Sequence, residues 1–130
     1  MILRNISKNI LIADSVHYAD SWLARLIGLM FHLPLNINEG FVIPKCKSIH
    51  TFFVKQTLKI LVLDINKKLI DKFEIKPSKI SKIYREAYYF IELSEKNTNF
   101  DRVELGNQIS WSHRPLTSPP LSVPSVKGKL

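Results

Sequence analysis

The sequence predicts a mostly β fold: a compact, jelly-roll-like sandwich or squat barrel with one short N-terminal α-helix. The first observation is a series of short apolar runs bounded by Gly, Pro, Asn or Lys, which is typical of strands. These runs are KNILIA, GFVIP, SIHTFFV, LKILVLDI, KLIDKFEI, AYYFIELS and NQISW. The second observation is that a single segment has a helical period. So many strands hide their edges best in a sandwich or barrel, with the helix over one opening or edge.

The predicted helix lies in the segment DSWLARLIGLMF. Its apolar side chains recur at every fourth position or next to it, which places them on one helical face. They are Trp22, Leu23, Leu26, Ile27 and Met30. Asp20 or Ser21 precedes them and is a suitable N-cap, because its side-chain oxygen accepts a hydrogen bond from a backbone N–H of the first turn.

A hairpin turn is predicted between the runs LKILVLDI and KLIDKFEI. Asn66 stands there, followed by Lys67 and Lys68. Asn tolerates the positive φ that tight turns require. We therefore expect these two runs to pair as antiparallel strands.

The length and composition indicate one folded domain followed by a tail. The chain has 130 residues, of which 45% are apolar and 23% charged, which suits a single domain. We assign it to residues 1–112. Residues 113–130 hold four of the seven prolines and no acidic residue. Such a segment buries too little apolar surface to offset its ordering entropy, so we expect a disordered, Pro- and Ser-rich basic tail.

Basic residues are concentrated in the middle of the chain. The net charge is +8, and the segment from Lys45 to Lys82 has ten lysines against three acidic residues. Such a surface attracts nucleic acid or an anionic membrane weakly and without specificity, although a purely solubilising role is the simpler interpretation. The arginines are scattered along the chain, which argues against specific reading of nucleic acid.

The compartment is inferred from what the sequence lacks. The N-terminus has no apolar run typical of a signal peptide, because Lys8, Asn9 and Asp14 interrupt it. No window is long enough for a membrane span. Cys46 stands alone, so there is no internal disulfide framework. We therefore predict a cytoplasmic protein with a reduced Cys46.

Several segments together resemble the domain of unknown function 192 family. They are ADSWLARLIGLM, PKCKSIHTFFV, LVLDINKKLI, the IEL at 91–93 and the Gly106–Asn107 pair. The resemblance covers about residues 10–111, and the combination is more specific than any one piece. It implies a compact, mostly β domain of jelly-roll-like kind with one N-terminal helix, from a prokaryotic family without an agreed biochemical activity.

The chain departs from this family pattern at several positions. Val54 stands where the family usually has Met, and Lys59 and Asn107 stand where it usually has Asp. If the family has carboxylate-dependent chemistry or a metal site at those two acidic positions, we expect this chain to lack it.

The candidate ligand-binding residues are Arg25, Cys46, Ser48 and His50. Cys46 and His50 have the spacing of two zinc ligands on a helix, but in the predicted strand SIHTFFV they lie about 13 Å apart, so we predict no metal site and no cofactor. Arg25 lies in an otherwise apolar helix and needs partners there, either strand carbonyls or a carboxylate such as Glu92.

Three functions remain open at this point. The first is a small domain without obvious enzymatic activity that binds a small, anionic ligand or a protein partner at a pocket around His50 and Arg25. The second is a hydrolase-like enzyme with Cys46 or Ser48 as nucleophile and His50 as base, oriented by Asp64. No nucleophile elbow accompanies those residues. The third is weak binding of nucleic acid or anionic membrane through the lysine-rich segment 45–82.

Overall fold

The structure, a computed structural model, describes residues 1–21, 34–52 and 54–113. Within these ranges the chain forms eight strands and one short 3₁₀ helix at Phe100–Arg102. The strands are β1 (Ile2–Asn5), β2 (Ile10–Ala13), β3 (Ser15–Tyr18), β4 (Glu39–Pro44), β5 (Leu58–Leu63), β6 (Leu69–Ile75), β7 (Tyr89–Ser94) and β8 (Ile109–Ser112). The prediction of a mostly β protein is confirmed.

The strands form two sheets that share a core. One sheet has the order β2-β1-β8 and the other has the order β3-β4-β7-β5-β6. Apolar side chains of both sheets meet in one buried cluster. Its strand members include Leu3, Ile12, Val42, Leu61, Leu63, Ile91, Leu93 and Ile109. This arrangement of two layers over one core buries the apolar face of each sheet.

A second apolar cluster covers the other face of the five-stranded sheet. Phe41, Ile60 and Phe90 contribute from the strands, and Ile49 and Ala87 contribute from two long loops. The five-stranded sheet is therefore buried on both faces. This explains why β5 and β7 are almost continuously apolar instead of alternating.

Gly40 allows close packing of the two central strands β4 and β7. A Cβ atom at this position would lie 2.6 Å from the Glu92 carbonyl oxygen and 2.9 Å from a methyl carbon of Leu93. Only glycine avoids this collision with the neighbouring strand.

The predicted hairpin between β5 and β6 is confirmed. The two strands pair antiparallel from Leu58 opposite Ile75 to the turn. The left-handed residue is Lys67, with φ 65°, and not Asn66. Asp64 determines this geometry, because one of its carboxylate oxygens accepts the N–H groups of Asn66 and Lys68 at 2.9 and 3.0 Å.

The strand predicted for SIHTFFV is wrong. Its described residues form no strand, and His50 makes only an isolated bridge with Ile80. Lys45, with φ 55°, turns the chain away from β4. Apolar side chains such as Ile49 and Val54 then pack into the second cluster from a loop. The β-like pattern therefore reflects burial of alternate loop residues.

The predictions of a barrel, a helix and a tail are not supported by the described residues or lie outside them. The described strands form two separate sheets, which does not support the squat barrel. The predicted helix falls almost entirely on residues 22–33 and the predicted tail on residues 114–130, both outside the described ranges. The helix, the jelly-roll arrangement and the boundary at residue 112 stay predictions. Two strands, β1 and β3, were not predicted; β3 has only one buried residue, Val16.

Candidate functional site

Three of the four candidate residues lie on one loop, residues 45–57, between β4 and β5. Cys46 packs partly buried against the second apolar cluster, and its thiol donates a hydrogen bond to the Ser48 carbonyl oxygen at 2.8 Å. Ser48 and His50 are partly exposed on the same loop. Arg25 lies outside the described residues. Cys46, Ser48 and His50 therefore share one loop, and the binding roles of all four residues stay predictions.

This loop is fixed to a second loop, residues 76–88, by backbone hydrogen bonds. The N–H of Thr51 donates to the Lys79 carbonyl oxygen at 2.8 Å, and that of Ser81 donates to the Ile49 carbonyl oxygen at 2.8 Å. Residues 45–57 and 76–88 are called the basic loop pair below. Because their backbones are joined, the side chains of both loops form one continuous surface.

Two side chains strengthen the joint between the loops. Thr51 is fully buried, and its hydroxyl donates to the Lys76 carbonyl oxygen at 2.7 Å while accepting the N–H of Lys79 at 2.9 Å. The ammonium group of Lys47 donates to the carbonyl oxygens of Arg85 and Ala87 at 2.7 and 2.9 Å. These contacts satisfy backbone groups that no sheet pairs, so they hold both loops in place.

His50 lies at the surface of the basic loop pair. Its ring stacks on that of Phe52, with centroids 5.0 Å apart and an interplanar angle of 26°. Phe52 is itself 43% exposed. The imidazole therefore lies between the inter-loop joint and an exposed aromatic ring, with its Nδ1 atom buried.

The basic loop pair carries most of the net charge of the chain. It contains seven basic residues and one acidic residue, Glu86, and so accounts for +6 of the total of +8. All seven basic residues are exposed. They are Lys45, Lys47, Lys55, Lys76, Lys79, Lys82 and Arg85. Cations concentrated on one fixed surface produce a positive potential that attracts anions.

A shallow cleft borders this surface. Its volume is about 520 Å³, and Ile70, Asp71 and residues 82–86 line it. Inside it, the Tyr84 hydroxyl donates to an Asp71 carboxylate oxygen at 2.6 Å. Burial and this hydrogen bond raise the pKa of Tyr84 above its ordinary value. Two acidic and two basic side chains line the cleft, and the basic ones, Lys82 and Arg85, belong to the positive surface.

Two further cavities lie elsewhere, with volumes of about 220 and 600 Å³. The smaller one is lined by residues such as Leu35 and Thr57, and the larger one by residues such as Tyr18 and Trp111. Cys46, Ser48 and His50 line none of these three cavities. The candidate site is therefore best described as a surface.

The carboxylates named as partners of the candidate residues lie elsewhere. Asp64 caps the β5–β6 turn, as described above. Glu92 is fully buried in β7, where it pairs with Phe41 of β4 and Ile60 of β5. The predicted contact between Arg25 and Glu92 is not tested, because Arg25 is outside the described residues.

The two positions where Asp is replaced have structural contacts in this chain. The Lys59 ammonium group donates to the Asn97 carbonyl oxygen at 3.0 Å and lies 5.4 Å from the centre of the Phe100 ring. The side-chain oxygen of Asn107 accepts hydrogen bonds from the buried Asn5 side chain at 2.8 Å and from the Glu104 N–H at 2.9 Å. An aspartate at 107 could accept the same two bonds, whereas an aspartate at 59 could not donate.

The part of the chain that the structure describes has neither a metal-ligating cluster nor a membrane-spanning helix. No group of three or more His, Cys, Asp or Glu side chains is arranged there to hold a metal ion. None of its helices has the length and apolar character needed to span a bilayer.

Sequence comparison identifies the family. Residues 4–111 match domain of unknown function 192, described as an uncharacterised ACR. The chain belongs to this family. A UPF0127 protein of Pyrococcus horikoshii is 32% identical over 111 residues, which cover 82% of this chain and 96% of that protein. A UPF0127 protein of Pyrococcus furiosus is 29% identical over 112 residues, covering 83% and 96%. The names of these two relatives state no activity.

Solved structures show the same fold. A Sinorhizobium meliloti protein described as a candidate transcription regulator matches with a TM-score of 0.66 and 18% identity, covering 84% of this chain and 89% of that one. A protein of unknown function from Novosphingobium aromaticivorans matches with a TM-score of 0.60 and 14% identity, covering 74% of each chain. At these identities the likeness concerns the fold alone.

The role of residues 76–88 was missed by the sequence analysis. The sequence shows their lysines but does not indicate that the segment pairs with the loop that carries His50. The available signal is a basic residue at every third position from Lys79 to Arg85, KISKIYR, with isoleucine after each lysine, outside any strand. That pattern is unusual for a solubilising loop.

Proposed function

We propose that the chain is a non-enzymatic binding domain that holds an anionic partner at the basic loop pair, with Ser48 and His50 inside the contact. The proposed contact is a surface, in place of the pocket that the sequence predicts around His50 and Arg25. Arg25 stays a candidate contributor. The domain acts in the cytoplasm, as the sequence predicts. The observation that carries the proposal is the concentration of seven basic residues against one acidic residue on two joined loops.

The physical argument concerns preorganisation. Lysines on a flexible segment lose conformational entropy when a partner fixes their backbone. Here the backbone is already fixed by the contacts of Thr51 and Lys47. The positive potential is therefore concentrated before the partner arrives, which favours rapid encounter and leaves less ordering to offset.

Binding to inorganic polyphosphate tests this proposal. A triple variant, Lys55→Gln/Lys76→Gln/Lys79→Gln, removes three exposed charges that make no described side-chain contact. The control, Lys8→Gln/Lys68→Gln/Lys96→Gln, has the same net charge but lies outside the basic loop pair. We expect the first variant to bind polyphosphate at least tenfold more weakly and with a flatter salt dependence, whereas the control stays close to the parent chain. Equal losses in the two variants would contradict the proposal.

A His50→Gln variant tests the centre of the contact. Glutamine keeps a polar side chain but loses the ring that stacks on Phe52. We expect weaker binding of polyphosphate without loss of folding, measured by anisotropy and by a thermal unfolding curve. Unchanged binding would place His50 outside the contact.

A further inference from the structure

Among the described residues of the basic loop pair, three large apolar side chains are exposed. Ile80 is 66% exposed, Ile83 is 71% exposed and Phe52 is 43% exposed. A soluble polyanion would not remove these apolar side chains from water, because phosphate contacts charged and polar groups. Their presence among cations indicates a partner that is anionic at its surface and apolar beneath it.

The backbone that carries the two isoleucines is held by hydrogen bonds to the other loop. Between them, the N–H of Ser81 is bonded to the Ile49 carbonyl oxygen, and just beyond them the N–H of Tyr84 is bonded to the Lys47 carbonyl oxygen at 2.7 Å. The backbone of residues 80–84 is thus fixed at both points. Ile80 and Ile83 are exposed on this backbone, each next in sequence to a lysine, Lys79 or Lys82.

We infer that the anionic partner is the surface of a lipid bilayer, into which Ile80 and Ile83 insert while the surrounding lysines contact anionic headgroups. This inference rests on the proposed function. Charge complementarity supports it, because anionic lipids attract each basic residue near the surface. Insertion of apolar side chains beside those lysines adds the second contribution that stable peripheral binding requires.

Vesicle binding by the full chain tests the inference. We expect sedimentation with vesicles of phosphatidylglycerol and phosphatidylcholine and none with phosphatidylcholine alone, because the lysines need anionic headgroups. The variant Ile80→Ser/Ile83→Ser should bind the mixed vesicles about tenfold more weakly or worse, since two apolar side chains no longer leave water. Its affinity for polyphosphate should be unchanged. Thermal unfolding should also be unchanged, because both side chains are mostly exposed.

A matched control exists in the same chain. Ile65 and Leu105 are 64% and 68% exposed, outside the basic loop pair. The variant Ile65→Ser/Leu105→Ser should bind vesicles like the parent chain. If it lost as much affinity as the Ile80 and Ile83 variant, general surface apolarity and not the basic loop pair would govern binding, and the inference would be overturned.

Insertion can be seen directly by fluorescence. An Ile83→Trp variant should show a blue-shifted emission when mixed vesicles are added, relative to the parent chain with its own tryptophans. An Ile65→Trp variant should show no such shift. Equal emission of both variants with and without vesicles would contradict insertion.

The remaining outcomes separate the two proposals. If polyphosphate binds through the lysines and vesicles do not bind, the partner is another anionic molecule, such as an acidic protein, and the inference fails while the proposed function stands. If vesicles bind but the Ile80 and Ile83 variant binds equally well, insertion is overturned and charge alone remains. If neither probe binds, the proposed function itself fails.

Discussion

Two corners of the molecule are built in a similar way but differ in charge: one is strongly positive and the other is neutral. In the basic loop pair, loops 45–57 and 76–88 are joined by hydrogen bonds and expose Ile80 and Ile83. Residues 64–68 and 104–108, called the neutral loop pair, are joined by the Gln108 side chain, which donates to the Asn66 carbonyl oxygen at 2.7 Å. This corner exposes Ile65 and Leu105 to nearly the same extent.

The charges differ sharply. The neutral loop pair has two lysines and two acidic residues, and the ammonium group of Lys8 lies 2.9 Å from the Glu104 carboxylate. The ammonium group of Lys67 lies over the Trp111 ring, 4.2 Å from its centre. An exposed aliphatic side chain by itself is therefore ordinary in this protein. Only at the basic loop pair does it coincide with a net charge of +6.

Charge reversal in the basic loop pair should have the largest effect on vesicle binding. Lys76→Glu/Lys79→Glu changes the charge of the basic loop pair by four, and at about 1 kcal/mol for each charge near an anionic membrane this weakens vesicle binding about a thousandfold. Sedimentation with phosphatidylglycerol-containing vesicles measures it. The control Lys68→Glu/Lys96→Glu should lose far less, and a comparable loss would show that only the net charge of the chain matters.

The joint within the basic loop pair can be loosened alone. Thr51→Val keeps the side-chain shape but leaves the Lys79 N–H without its hydroxyl partner. We expect the free energy needed to open the loops to fall by about 1–3 kcal/mol, because a buried polar group is left unsatisfied. Amide exchange of Thr51 and Ser81 should accelerate, while that of Ile109 in the other sheet should not. Uniform acceleration would mean that the loops unfold only with the whole domain.

The neutral loop pair can be loosened in the same way. Asn107→Ala removes the acceptor used by Asn5 and by the Glu104 N–H, and should lower the free energy of unfolding by about 1–2 kcal/mol. Asn107→Asp restores the acceptor and should cost less. Denaturant unfolding measures both. Neither change should alter vesicle binding, and a loss of binding on either would place this corner in the contact.

The sequence predicted the strands β2 and β4 to β8, together with the family, because strand periodicity and the family pattern are local signals. It failed for SIHTFFV, since a loop whose alternate side chains reach a core cannot be distinguished from a strand by alternation alone. Burial of Ile49 in the second apolar cluster and pairing of Thr51 with residues 76–88 are tertiary contacts. The joining of residues 45–57 and 76–88 is equally non-local, so the basic loop pair could not be predicted from either segment.

Alkaline pH should have the smallest effect. Since the pKa of Tyr84 is raised by burial and by the hydrogen bond to Asp71, the unfolded chain loses this proton first. The stability that the protonated Tyr84 side chain contributes is thus fully present below its ordinary pKa of 10.0. It declines as the pH rises above that value. In denaturant unfolding curves, Tyr84→Phe should lose less stability at alkaline pH than the parent chain. An identical loss of stability in both chains would show that other tyrosines cause it.

The most direct test compares the two loop pairs in one experiment. Hydrogen–deuterium exchange of the full chain is measured with and without vesicles of phosphatidylglycerol and phosphatidylcholine. We expect vesicles to slow exchange in peptides covering 45–57 and 76–88 and to leave those covering 64–68 and 104–108 unchanged. Protection centred on the neutral loop pair, or binding with no protection of 76–88, would contradict the account.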